Sequence, residues 1–181
     1  MTGTTRRPLL FLDVDGPLIP FGGTGYREAP APRGNEGQPG GNPLLARLDP
    51  GHGARLAALR CDLVWATTWM GEANEYVAPR IGLPELPVVA WPEPADEGEM
   101  AGEGERAGED ERTGLHWKTR TLVEWATGRP FLWVDDEITP ADRAWVAVHH
   151  PAPALLHRVD PRTGLTDRDF ATLARWLRDH P

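Results

Sequence analysis

The chain has 181 residues, 40% hydrophobic and 25% charged, which fits one globular domain of ordinary size and lies outside the disordered and fibrous classes. No apolar stretch approaches the roughly 20 residues of a membrane span, and the single cysteine, Cys61, has no internal partner for a disulfide. The net charge of −8 is local: residues 93–112 hold nine acids and two arginines, so the rest carries only −1 and neither requires nor forbids a nucleic-acid partner.

From Arg6-Arg7 the chain enters Pro8-Leu-Leu-Phe-Leu-Asp13, an apolar run too short for a secretory signal core and closed by an acid. A cytoplasmic protein with a buried, inert Cys61 is expected. Residues 8–14 form the first predicted strand. Phe21 to Pro43 is dense in Gly and Pro, an irregular flap region spanning about 20–50. A short helix over Ala54 to Leu59 precedes a second strand, Leu63 to Ala66. A helix over Glu72 to Ile81, stopped by Gly82, follows it. Leu86 to Trp91 is the third strand, and then comes the acidic, Gly-rich insert of 93–113, a solvated loop or a partner-binding segment. Leu115 to Ala126 has helical periodicity, Phe131 to Val134 is a fourth strand, and Thr139-Pro140 caps a helix running to Val148. Ala154 to Val159 is the fifth strand. Thr166-Asp-Arg-Asp169 opens the last helix, with Phe170, Leu173, Ala174 and Leu177 on one face.

Near-continuous apolar runs suit strands covered on both faces of a parallel sheet. Their alternation with helices predicts one α/β domain over 1–181, a three-layer, doubly wound, Rossmann-like parallel sheet of about five strands. Its ligand then belongs beyond the carboxyl ends of the central strands. The spacing of the eight tryptophans places most of them in the core, with Trp69, just past a strand end, lining a pocket.

Polar residues collect at those strand ends. The first strand finishes Asp13-Val-Asp15-Gly16, the second Thr67-Thr68 and the fourth Asp135-Asp136, while Lys118 lies near the start of the helix before that fourth strand. Of nineteen basic residues, Lys118 is the one lysine, in a composition that otherwise uses arginine. Its retention points to a place for a compact ammonium rather than a planar fork. Phosphate monoester hydrolysis is among the slowest uncatalysed reactions, and a carboxylate nucleophile splits it into two easier steps. A carboxylate also repels an anionic phosphate, so a divalent cation is needed, and hard oxygen ligands favour Mg²⁺. Asp13 and Asp135 are the expected direct ligands, with Asp136 acting through water or orienting Lys118. Lys118 and Thr67 address the phosphoryl oxygens, and Asp15 protonates the leaving oxygen and activates water.

The order Asp-Val-Asp-Gly, strand-end Thr, Lys, Asp-Asp resembles the four motifs of the haloacid dehalogenase (HAD) superfamily, in wording closest to a branch of small bacterial members. The resemblance implies a sheet ordered 3-2-1-4-5, phosphorylation of Asp13, Asp15 as general acid/base, and a metal site of Asp13, Asp135, Asp136 and the backbone carbonyl of Asp15. It implies a substrate pocket touching Thr67, Thr68, Gly16 and Trp69. Some related domains are associated with nucleic-acid end repair. Pro17 stands where the superfamily often has threonine, Thr67 and Thr68 compete for the second motif, and Glu137 is a further acid beside the compact Asp-Asp pair. Asp15 argues against halide chemistry, and the order of acids and lysine is opposite to that of response-regulator receivers.

Other candidates have structural readings: His149-His150 against a helix end, His116 as a partly exposed histidine, and Gly22-Gly23-Thr-Gly25 as a flexible loop without a Walker lysine. The segment after Asp15 has room for a flap but not a full cap. An open site for a bulky phosphate ester, such as a nucleic-acid end or a phosphoprotein, is expected, or one covered by a second subunit of a homodimer. A phosphotransferase or mutase with the same intermediate, and a non-catalytic regulatory module, stay open as alternatives.

Overall fold

The computed structural model describes residues 6–22, 42–91, 110 and 112–181. Nearly all of the acidic insert and most of the Gly/Pro-rich flap region lie outside the described residues.

Among the described residues, four short strands form one parallel sheet: β1 (Leu9–Leu12), β2 (Asp62–Trp65), β3 (Phe131–Asp135) and β4 (Ala154–Arg158). Their order is β2-β1-β3-β4. β1 is central, with Leu12 beside Trp65 on one side and Val134 on the other. The expected third strand is reduced to one parallel bridge between Val88 and Trp65 on the outer side of β2. Trp65 N–H donates to Pro87 O at 2.8 Å and Val89 N–H to Trp65 O at 2.9 Å. Pro84 and Pro87 have no N–H to give, which keeps that pairing short. With the bridge counted, the segments follow the expected 3-2-1-4-5 order.

The helices are α1 (Gly51–Ala57), a π-helical turn (Ala73–Val77) running into α2 (Ala78–Ile81), α3 (Thr119–Ala126), α4 (Pro140–His149) and α5 (Asp167–Asp179). Side chains alternate across the sheet. Leu10, Leu12, Leu132 and Val134 pack with Leu56, Ile81 and Leu173 on one face, the side of α1, α2 and α5. Leu9, Phe11, Phe131 and Trp133 pack with Leu122, Ala126 and Val146 on the other, the side of α3 and α4. Both faces are therefore covered, which is why the strands read as unbroken apolar runs. Each fully buried leucine here stabilises the fold by about 1.5–3 kcal/mol. α1 and α2 approach closely at Gly53, where a Cβ would lie 1.7 Å from the Ile81 carbonyl oxygen.

One expectation needs correction. The helix over 115–126 begins only at Thr119, because residues 116–118 turn to meet an acid on α4. Most tryptophans belong to the core as their spacing suggests: Trp65 and Trp133 are fully enclosed, and Trp69, Trp91, Trp125, Trp145 and Trp176 pack against the two clusters, whereas Trp117 is 47% exposed. No helix among the described residues is long and apolar enough to cross a membrane.

Candidate active site

Because all strands run parallel, their carboxyl ends share one edge, and the ladder continues past them. Asp13 N–H donates to Val134 O at 3.0 Å and Ala66 N–H to Leu12 O at 2.9 Å. Backbone register alone thus sets Asp13, at the end of β1, beside Asp135, the last residue of β3. Both carboxylates are buried.

Lys118 joins them. It immediately precedes α3 and is only 2% exposed. Its Nζ donates to Asp13 Oδ2 at 2.9 Å and to Asp135 Oδ2 at 2.8 Å. One small ammonium between two carboxylates is the geometry a tetrahedral donor meets better than a planar guanidinium. The second oxygen of each acid is also held: Asp13 Oδ1 accepts from Val14 N–H at 2.8 Å, and Asp135 Oδ1 from Glu137 N–H at 2.9 Å. Trp133 Nε1 donates to Asp135 Oδ2 at 3.2 Å. Among the described residues Lys118 Nζ bonds to Asp13 and Asp135 rather than to Asp136, whose charge it still feels.

Asp142, fully buried on α4, places the Lys118 turn. Its Oδ1 accepts from His116 N–H at 2.8 Å and Thr119 Oγ1 at 2.6 Å. Its Oδ2 accepts from Thr139 N–H at 2.7 Å, which closes the capping box of α4. One carboxylate therefore caps a helix and holds the backbone before Lys118 and the Thr119 hydroxyl after it. The capping pattern was visible in the sequence; the second use was not.

Gly16 brings the first loop against the third acid. Its φ of +83° is one that L side chains rarely adopt, and a Cβ there would lie 2.6 Å from Asp136 Cγ. Asp15 stands apart from the lysine, its Oδ2 accepting from Trp69 Nε1 at 2.9 Å. Trp69 thus reaches the site through an acid as well as by position. Thr67 is fully buried, its Oγ1 accepting from Trp69 N–H at 3.3 Å, whereas Thr68 is exposed. Trp91 Nε1 donates to Thr67 O at 3.0 Å, tying the next segment to the same loop.

The electrostatics are those of excess negative charge. Burial pushes the Asp13 carboxyl up to about 7, with Lys118 opposing and Asp135 reinforcing the rise. Burial, and then Asp135, brings Asp136 up to about 6. Burial works against the Lys118 charge, but Asp13 and Asp135 together outweigh it and hold the ammonium above its ordinary value. Three buried carboxylates share one counter-charge.

Oxygens of Asp13, Asp135 and Asp136 lie within 4.8 Å of one another. Hard donors, close spacing and unbalanced negative charge fit a divalent cation of the Mg²⁺ type. A second group, His116, Asp135 and Glu137, is also close enough. There, His116 Nδ1 accepts from Lys118 N–H at 3.2 Å and its Nε2 faces Glu137 Oε2 at 3.1 Å, so both ring nitrogens are engaged in bracing. His149 Nδ1 lies 2.8 Å from Trp145 O and its ring stacks on Trp145, while His150 Nε2 lies 2.9 Å from Arg129 O. These two histidines have structural partners.

A family model described as the HAD domain in Swiss Army Knife RNA repair proteins matches residues 9–170, a span that includes every residue of this cluster. Neither a curated protein nor a solved structure matches the chain.

Proposed function

The chain belongs to the HAD superfamily, and on that premise we propose that it is a Mg²⁺-dependent phosphohydrolase acting through an aspartyl-phosphate on Asp13. The observation that carries the reading is the Lys118 ammonium held between Asp13 and Asp135 with Asp136 alongside. HAD domains are phosphatases or related hydrolases that generally use Mg²⁺.

Asp13, Asp135 and Asp136 would hold the cation, which when bound offsets the repulsion between carboxylate and phosphate and polarises the phosphoryl group. Asp13 then attacks phosphorus. Lys118 has a third N–H for a phosphoryl oxygen, and it keeps the nucleophile charged and aimed. Thr67 is the hydroxyl assigned to a second phosphoryl oxygen. Asp15 gives its proton to the departing alkoxide, then takes one from the water that attacks phosphorus and frees Asp13. The Trp69 indole fixes the direction in which Asp15 points. The substrate proposed is a phosphorylated nucleic-acid end. The RNA-repair description of the matching family supports that reading.

A screen of sugar phosphates, nucleotides and 3′- or 5′-phosphorylated oligonucleotides tests this. Turnover is expected with Mg²⁺ and lost with chelator or in Asp13→Asn. Turnover that needs no divalent cation and survives that substitution overturns the mechanism.

A further inference from the structure

Among the described residues, four large hydrophobic side chains are exposed: Phe21, Met70, Trp117 and Val148. Three of them stand in the segments that follow β1 and β2 or that lead into Lys118. Phe21 follows the first loop, its N–H donating at 2.7 Å to Pro161 O beyond β4. Met70 follows Trp69 beyond β2, with a φ of +48°. Trp117 directly precedes Lys118.

Of these, Trp117 is the one whose contacts reach the site residues. The Trp91 ring meets it edge to face at 4.8 Å and 72°, and the His116 ring lies over it at 5.6 Å and 29°. Trp91 is itself anchored by its bond to the Thr67 carbonyl. The indole is therefore braced, yet 47% of its residue surface meets solvent. Its ring centroid lies 5.6 Å from Lys118 Nζ, which in turn lies 2.9 Å from Asp13 Oδ2. The Trp117 ring and the Asp13 carboxylate thus flank the same ammonium.

We propose that Trp117, braced by Trp91, is the stacking platform for the base of a nucleotide or nucleic-acid end whose phosphate sits at Asp13 and Lys118. The assignment rests on the phosphohydrolase reading above and adds how its substrate is recognised. Base–aromatic stacking is tolerant of sequence because every base presents a π-face. Sugar phosphates present no π-face to the indole.

Equilibrium binding to Asp13→Asn protein with Mg²⁺ tests the proposal. The probes are nucleoside 3′- and 5′-monophosphates and 3′- or 5′-phosphorylated trinucleotides, each paired with a counterpart whose phosphorylated sugar is abasic. The base is expected to tighten binding roughly 10- to 100-fold, whichever base is present. That preference should vanish on adding Trp117→Ala, persist largely with Trp117→Phe, and be untouched by Val148→Ala on α4. Trinucleotides that bind more tightly than mononucleotides identify a strand end, and equal affinity identifies a free nucleotide; either supports stacking. Equal binding of base-bearing and abasic probes overturns the proposal, as does a preference that survives Trp117→Ala or no binding at all. Turnover of acetyl phosphate by the unsubstituted protein reports separately on the hydrolase reading. A base preference without turnover sinks that reading and leaves the platform standing; turnover without a base preference does the reverse.

Discussion

Lys118→Met removes the ammonium from the centre of the acidic cluster while keeping the length and much of the volume of the side chain. Asp13 Oδ2 and Asp135 Oδ2 each lose a charged donor at 2.9 and 2.8 Å. Removing one partner of a buried ion pair costs about 3–5 kcal/mol, because the remaining charge stays desolvated. For a domain of this size, that corresponds to a fall in Tm of about 10 °C. The loss should depend on pH in a definite direction. Burial already raises Asp13 to about 7 against the pull of Lys118, so removing the lysine raises it further. A carboxyl with a raised folded-state pKa contributes stability that is present at low pH and disappears as pH climbs through that value. Thermal unfolding followed by circular dichroism, in chelator, should show a larger deficit against the native protein at about pH 8 than at about pH 5. Mg²⁺ should narrow the deficit at the higher pH by supplying the missing positive charge. A deficit equal at both pH values and indifferent to Mg²⁺ would mean that Lys118 acts by packing, and the electrostatic account would fall.

Trp69→Phe takes from Asp15 its indole donor. Rates on substrates with poor leaving groups should drop by roughly 10- to 100-fold, a partial loss of the roughly 10²–10⁴-fold that a general acid contributes, while good leaving groups are little affected; a uniform drop would count against the positioning role. Asp142→Asn replaces an acceptor of four hydrogen bonds with a group that presents N–H to some of those donors. It should cost about 1–3 kcal/mol in denaturant unfolding and lower kcat more than KM as Lys118 shifts; unchanged kcat would detach Asp142 from the site. In the unsubstituted protein, the raised Asp13 and Asp136 carboxyls hold protons that the unfolded chain releases. Metal-free stability from these groups should therefore fall as pH rises through about 6 to 7, and the Tm gain from Mg²⁺ should grow over the same interval. A gain independent of pH would place the cation elsewhere.

The site was legible where local pattern and topology coincide. Parallel strands bring their carboxyl ends together, so acids after β1 and β3 converge whatever their separation in the chain, and a lone lysine among arginines marked the third partner. The order of the sheet followed from the same runs, with Leu86 to Trp91 overestimated as a strand because periodicity does not register that Pro87 lacks a donor. What stayed hidden depends on contacts between distant side chains. Nothing in the spacing of Trp69 shows that its indole meets Asp15, 54 positions earlier. The late start of α3 at Thr119 has the same origin, since Asp142 draws residues 116 and 119 into a turn that helical periodicity alone would continue. Tryptophan spacing placed most indoles against the core, and Trp117 is the exception, because an indole in a loop has room to stay in solvent.

Acid-quenched protein, mixed with a turned-over phosphate ester and Mg²⁺ and then digested for peptide mass analysis, gives the most direct test. A single phosphoryl group on the Asp13 side chain, absent when chelator replaces Mg²⁺ and absent in Asp13→Asn, is the predicted result. Steady turnover with the phosphoryl group found on another residue, or on none, would contradict it.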